Sequence, residues 1–221
     1  MIETVEFPRI IVPPQGGRME CYMKSNVCKI DNGTRDLAAI LKESERVAEY
    51  NGLGHKQTLQ LRLLCEEIDG MLPNIIDNFE GKLWIDFADG VCKVNVSIQI
   101  PEFNADKKEE LIGIAKNQKN AAAVGIVGKI RNAIENFFLD EQKTGALAWS
   151  AGSFGLGTGY SEGVNYAYLW RLEEYRNSVK KEEQAEAWDE LEKSVIASVA
   201  DDVVVGVKGN CAEIVIIKKF A

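Results

Sequence analysis

Two adjacent carboxylates, Glu66 and Glu67, follow the apolar helical run Leu61-Arg-Leu-Leu-Cys65 and precede Asp69, Asn74 and Asn78. A carboxylate carried on a helix is suited to general-base work, taking a proton from a hydroxyl or a water within hydrogen-bond reach. The plainer reading is a pair of surface carboxylates on an amphipathic helix, balanced by Arg62. A second candidate is Gly152-Ser-Phe-Gly-Leu-Gly-Thr-Gly159. Its backbone amides could fold inward around a phosphate, because Gly155, Gly157 and Gly159 carry no Cβ. No lysine follows at P-loop spacing and no clear strand precedes it, so Walker and Rossmann readings are poor and a plain loop or lid is the alternative. His55, the single histidine, follows Gly52-Leu-Gly54 at the expected start of a helix and completes no zinc site by itself.

The bulk composition narrows the function classes. The 221 residues carry a net charge of −8, with a pI near 4.9, so no chain-wide basic field draws nucleic acid or an anionic membrane. The stretch 116–129 has few basic residues and is rich in alanine and glycine, which gives no local patch either. Five cysteines (Cys21, Cys28, Cys65, Cys92, Cys211) are odd in number and form no C-x-x-C pair. Reduced thiols in a cytoplasmic protein are the simplest expectation. Met1-Ile-Glu-Thr-Val-Glu6 shows no basic region followed by an apolar stretch, and no apolar run approaches the roughly 20 residues that span a bilayer.

The elements that must position these residues follow from periodicity and turn chemistry. Residues 1–30 read as irregular structure with one or two strands, ended by the turn signal Asp31-Asn-Gly33. Thr34 is placed to cap a helix over about 35–51, with Leu37, Ile40, Leu41, Val47 and Ala48 at helical spacing and a stop at Gly52. A second helix starts near 55, carries the glutamates and kinks or breaks at Pro73, with Asn74 to Phe79 a candidate continuation of another turn or so. Lys82–Phe87 and Val91–Ile100 read as strands around the hairpin signal Asp89-Gly90. Helices follow at about 106–115 and 120–139, then a glycine-rich loop over 140–162. A helix from 166 to about 198, divided near 180–183, carries the aromatics Tyr166, Tyr168, Trp170 and Tyr175. Its charges pair in this reading as Glu173 with Arg176 and Asp189 with Lys193. Asp202–Val207 and Glu213–Ile217 form a closing hairpin. The order predicts an α+β fold, a two-layer sandwich with a mixed, mostly antiparallel sheet of about five strands covered by helices. It is read as one domain over 1–221, with a helical and glycine-loop insertion at about 104–185.

This order and three local matches resemble the histidine-kinase-like (GHKL) ATPase fold, in particular its anti-sigma-factor serine-kinase branch. Leu61-Arg-Leu-Leu-Cys-Glu-Glu67 looks like the helix that bears the family's catalytic glutamate, and Gly155-Leu-Gly-Thr-Gly159 like the box that wraps the phosphates. The ending, from Ala200-Asp-Asp-Val203 through Gly209-Asn210 to Ile214–Ile217, is similar to the family's helix-to-hairpin close. The resemblance implies ATP and magnesium as cofactors, Glu67 or Glu66 as base, and Gly155, Gly157 and Gly159 as phosphate contacts. The departures fall on the nucleotide boxes. Met71 stands four residues after Glu67, where the family places its magnesium-holding asparagine. Ile98-Gln-Ile-Pro-Glu-Phe103 replaces the Asp-x-Gly-x-Gly turn that meets adenine, leaving Glu102 as the nearest carboxylate.

Three functional readings follow. The first is a regulatory protein of ATP-binding fold that works by binding a protein, with weak or lost nucleotide chemistry. The resemblance implies a sigma factor or an anti-anti-sigma-like regulator as that partner, and leaves a homodimer open. The second is an active serine/threonine kinase of the same type, in which Asp69, Asn74 or Asn78 replaces the lost asparagine. The third is an unrelated α+β protein that binds a small ligand at its glycine loop.

Overall fold

The computed structural model describes residues 22–32, 36–76, 79–99, 125–144, 167–181, 185–208 and 211–220. In chain order these hold strands β1 (Met23–Lys24) and β2 (Cys28–Asp31), then helices α1 (Leu37–Tyr50) and α2 (His55–Ile75). Strands β3 (Glu80–Ala88) and β4 (Val91–Gln99) precede helix α3 (Gly125–Thr144) and strand β5 (Ala167–Arg171). Helices α4 (Leu172–Lys181), α5 (Ala185–Lys193) and α6 (Val195–Val199) lead to strands β6 (Asp202–Lys208) and β7 (Cys211–Lys219).

The strands form one sheet in the order β1-β3-β4-β7-β6-β5, with β2 also on the free side of β3. The α+β class is as expected, but among the described residues the sheet has seven strands, all paired antiparallel, rather than about five in a mixed arrangement. The N-terminal region supplies two strands, within the one or two expected there, and a further strand lies where pattern and structure diverge. The N-terminal edge is split by Ser25–Val27, where the Ser25 hydroxyl, not a backbone carbonyl, accepts from the Ile85 amide at 2.8 Å. Residues 167–171 lie in a strand against β6, not in the helix that the aromatic spacing predicts. The helix begins only at Leu172.

The hairpin β3–β4 turns on two residues with positive φ, Asp89 at 50° and Gly90 at 74°, the pattern of a type I′ turn whose twist matches the flanking strands. That turn sets the register: Ala88 faces Val91, and from there Asp86 faces Lys93 and Trp84 faces Asn95. Alternation then sorts each strand by face. Leu83, Ile85 and Phe87 of β3 are buried with Cys92, Val94, Val96 and Ile98 of β4, Ala212, Ile214 and Ile216 of β7, and Val203, Val205 and Val207 of β6. These residues share one core with the helices, which contribute Ile40 and Val47 from α1, Leu61, Leu64, Ile68 and Leu72 from α2, and Ile130 from α3. Each such aliphatic side chain contributes about 1.5–3 kcal/mol when fully withdrawn from water.

The helix ends explain where the chain turns. Asp36, rather than Thr34, caps α1, its carboxylate accepting from the Ala39 amide at 3.0 Å; Thr34 lies outside the described residues. At the other end Leu53 donates to the Ala48 carbonyl at 2.9 Å and Gly52 to that of Glu49 at 3.1 Å, a Schellman closure made possible by the φ of +65° at Gly52. Helix α2 starts at His55 and runs through Pro73 to Ile75, so the proline does not end it. Only one amide donor is lost there, close to the C-terminus, and Ile75 beyond it remains buried. The charged helix face also pairs differently from its spacing. Arg176 does not turn to Glu173 but donates to the carbonyls of Ala197, Ala200 and Asp201, satisfying the end of α6.

Two glycine substitutions separate close packing from helix propensity. A Cβ at Gly81 of β3 would lie 2.6 Å from the Ser97 carbonyl oxygen, whereas one at Gly70 of α2 meets nothing within 4 Å. Gly81→Ala is expected to destabilise by about 1–3 kcal/mol and Gly70→Ala to stabilise by roughly 0.5–1 kcal/mol, both measured by urea denaturation.

Candidate functional site

Helix α2 places the candidate residues on two flanks. At helical spacing Glu67, Met71 and Asn74 share one side, while Arg62, Glu66 and Asp69 lie on the other, with Leu61, Leu64, Cys65, Ile68 and Leu72 between them on the core. On the second flank Arg62 is held between two carboxylates: its Nε donates to Glu66 at 3.2 Å and its Nη1 to Glu45 of α1 at 2.9 Å. Glu66 is thereby tied into a helix–helix ion pair. Glu67, its neighbour in sequence, is half-buried on the opposite flank. The adjacent carboxylates therefore do not converge on one point, since consecutive helical residues diverge by about 100°.

Met71 is buried at 8% exposure, and its thioether belongs to the apolar core. Asn74, exposed, turns its amide back toward the Gly70 carbonyl at 3.5 Å, a weak contact. Asp69 is buried at 6% exposure. Asn78, Glu102 and the glycines Gly155, Gly157 and Gly159 lie outside the described residues. Among the described residues no cluster of three or more His, Cys, Asp or Glu has the geometry of a metal site, and no helix is long and apolar enough to cross a membrane.

A polar cluster that the sequence reading missed lies on the sheet face opposite the core. Asp86 of β3 accepts from the Tyr22 hydroxyl at 2.7 Å, the Trp84 indole N–H at 3.0 Å and the Asn95 amide at 2.9 Å. Lys24 stands over the Trp84 ring, 4.7 Å from its centre. Burial and then the bond to Asp86 push the Tyr22 phenol above its ordinary range, because a charged acceptor favours the protonated hydroxyl. The signal was available: the two-residue turn at Asp89-Gly90 already puts Trp84 opposite Asn95.

Of the aromatics, Trp170 and Tyr175 are half-buried and pack against neighbouring elements. The Trp170 and Tyr175 rings meet at 6.0 Å with a tilt of 47°, joining β5 to α4, and Lys129 of α3 lies 5.4 Å from the centre of the Tyr175 ring. Cys65 and Cys92 are buried thiols, inert by position. Burial pushes Cys65 far above the ordinary thiol range and Cys92 up to about 12. No protein-family model, curated protein or solved structure matches the chain.

Two measurements probe these placements. Asp86→Ala leaves three donors without their acceptor and is expected to cost about 1–3 kcal/mol, with Asp86→Asn, which keeps an acceptor oxygen, costing less in the same denaturation series. Cys65 and Cys92 are expected to resist Ellman's reagent in the native state and to react on unfolding. Their folded pKa values lie above the ordinary 9.0, so their contribution is complete below pH 9 and is lost as pH rises toward 12. A native-state thiol count that includes both would contradict the placement.

Proposed function

We propose that the chain is a regulatory protein of the histidine-kinase-like ATPase type, related to the anti-sigma-factor kinases, that acts by binding another protein and has weak or lost nucleotide chemistry. The observation that carries this reading is the burial of Met71. At the position where the resemblance puts a magnesium-holding amide, the chain has a thioether sealed in the core. A hard cation needs oxygen ligands that it can reach. The residues described around that position do not fit a magnesium ion: Glu66 is committed to Arg62, and Asn74 is two helical turns beyond Glu67. No catalytic step is assigned to the glutamates on this reading.

Two further features support it. The α+β class, with α2 packed into the core of the sheet, is the coarse feature shared with the architecture that the resemblance implies. The β1–β2 edge pairs only with β3 among the described residues, and edges of this kind are where partners add. Among the described residues no distance favours the alternative of an active kinase.

The test is a thermal melt with and without Mg-ATP. A ligand at 100 times its dissociation constant adds about 2.7 kcal/mol of stability. At millimolar nucleotide no magnesium-dependent rise in Tm is expected for the wild-type chain. A clear rise that chelation abolishes would overturn the reading in favour of an active kinase.

A further inference from the structure

Between β2 and α1 lies an open groove of about 610 Å³, lined by Asn26–Lys29 on one side and by Asp36, Ala39, Lys42, Glu43 and Arg46 on the other. One wall is a sheet edge. Among the described residues β2 pairs only with β3, through Cys28 with Leu83 and Ile30 with Gly81. The direction of its remaining backbone groups follows from Ile85, whose carbonyl accepts from the Ser25 amide and whose amide donates to the Ser25 hydroxyl, each at 2.8 Å. Ile85 thus points its backbone groups toward the β1–β2 side. By the alternation of an antiparallel ladder Leu83 and Gly81 do the same, and their partners Cys28 and Ile30 face back toward β3. Lys29, between them, presents its N–H and C=O to the groove and meets no backbone partner among the described residues.

One end of this edge is already closed. Glu43 of α1 accepts from the Asn26 backbone amide and side-chain amide, each at 3.1 Å, and from Arg46 at 2.9 Å. A helical carboxylate here does what a neighbouring strand's carbonyl would do, and it stops where Lys29 begins. The charges in the groove divide in the same way. Both acids have internal work, Glu43 as above and Asp36 as the cap of α1. Lys29 and Lys42 are exposed, and no ion pair joins them to a described acid. Between the lysines and the edge lies Val27, 48% exposed in a chain whose other valines of the sheet are largely covered, with the half-buried Cys28 and Ala39 beside it.

We infer that this groove is a docking site for an extended segment of a protein partner, which adds to the sheet beside Lys29 as a further strand and alternates acidic with apolar side chains. The backbone of such a segment pairs with Lys29. Its acidic residues meet Lys29 and Lys42, and its apolar residues cover Val27 and Ala39, the division of labour of strand addition in general. The inference rests on the protein-binding reading above and names the surface and the chemistry of the partner.

The probe is a fluorescein-labelled peptide of about eight residues alternating valine and glutamate, titrated against the full chain by fluorescence anisotropy. A valine–lysine peptide of the same length and the valine–glutamate peptide with proline at its central positions serve as controls. The first peptide is expected to bind and both controls to bind at least roughly tenfold more weakly. Lys42→Glu and Lys29→Pro are each expected to lose roughly tenfold in affinity. Proline is tolerated on an edge whose N–H faces outward, so the Lys29→Pro chain should keep its far-ultraviolet spectrum. A third variant, Lys29→Glu, keeps the backbone donor and separates charge from ladder if the proline variant unfolds. Equal binding of the lysine peptide, or undiminished affinity in the folded variants, would overturn the site. Failure of the site is distinguishable from failure of the parent reading. A partner recovered equally by wild type and by Lys29→Pro leaves protein binding standing and removes this groove, whereas a magnesium-dependent gain with ATP removes the parent reading.

Discussion

The structure depends on the need to cover one apolar face of an antiparallel sheet. The inward residues of β3, β4, β7 and β6 alternate with outward ones, and this inward set has no stable existence until helices lie over it. Helix α2 is central to that cover, which is why its candidate residues sit where they do. The helix must turn Leu61, Leu64, Ile68 and Leu72 inward, so Glu66 and Glu67 are forced onto its two flanks. A pair that looks like a unit in the sequence is divided by the geometry of burial.

The same constraint decides the fate of Met71. A residue four positions after Glu67 lies on the same flank, close to the boundary of the core stripe. An asparagine there would bring a polar amide to the edge of the core, acceptable only with a partner to satisfy it. Methionine needs none. A flexible thioether at such a boundary packs without needing a polar partner. On the proposed reading, architecture and nucleotide chemistry part company at this one residue, because packing favours an apolar side chain where a hard cation would need an oxygen ligand.

The sheet margins show how much remains open once the core is closed. At the β1–β2 edge the chain uses Ser25 and Glu43 in place of strand partners, so part of the edge is protected by side chains rather than by pairing. On the outer face Asp86 gathers Tyr22, Trp84 and Asn95 into one network, fixing three side chains from two strands and the segment before them. Elsewhere Asp202 accepts from Arg171 and from the Glu173 amide, and so secures the junction of β5 with α4. Each device joins residues far apart in the chain, and each ties an element end to the sheet.

Local chemistry was enough to reveal several parts of this. The Asp89-Gly90 turn, the two closing strands, the stop at Gly52, the start of α2 at His55 and the α+β class all follow from turn residues and periodicity, whose causes lie within a few residues of each position. The register of β3 against β4, and with it the meeting of Trp84 and Asn95, was legible too, because a two-residue turn leaves no freedom in the pairing. Tertiary structure alone decided that 167–171 joins the sheet, since the sheet edge offers backbone partners that outweigh a helical aromatic spacing. It also decided that Arg176 caps α6 instead of pairing with Glu173, and that Glu43 closes a strand edge. In each case the deciding partner is distant in sequence, and no periodicity within one segment records where a carbonyl or an apolar surface from another will arrive.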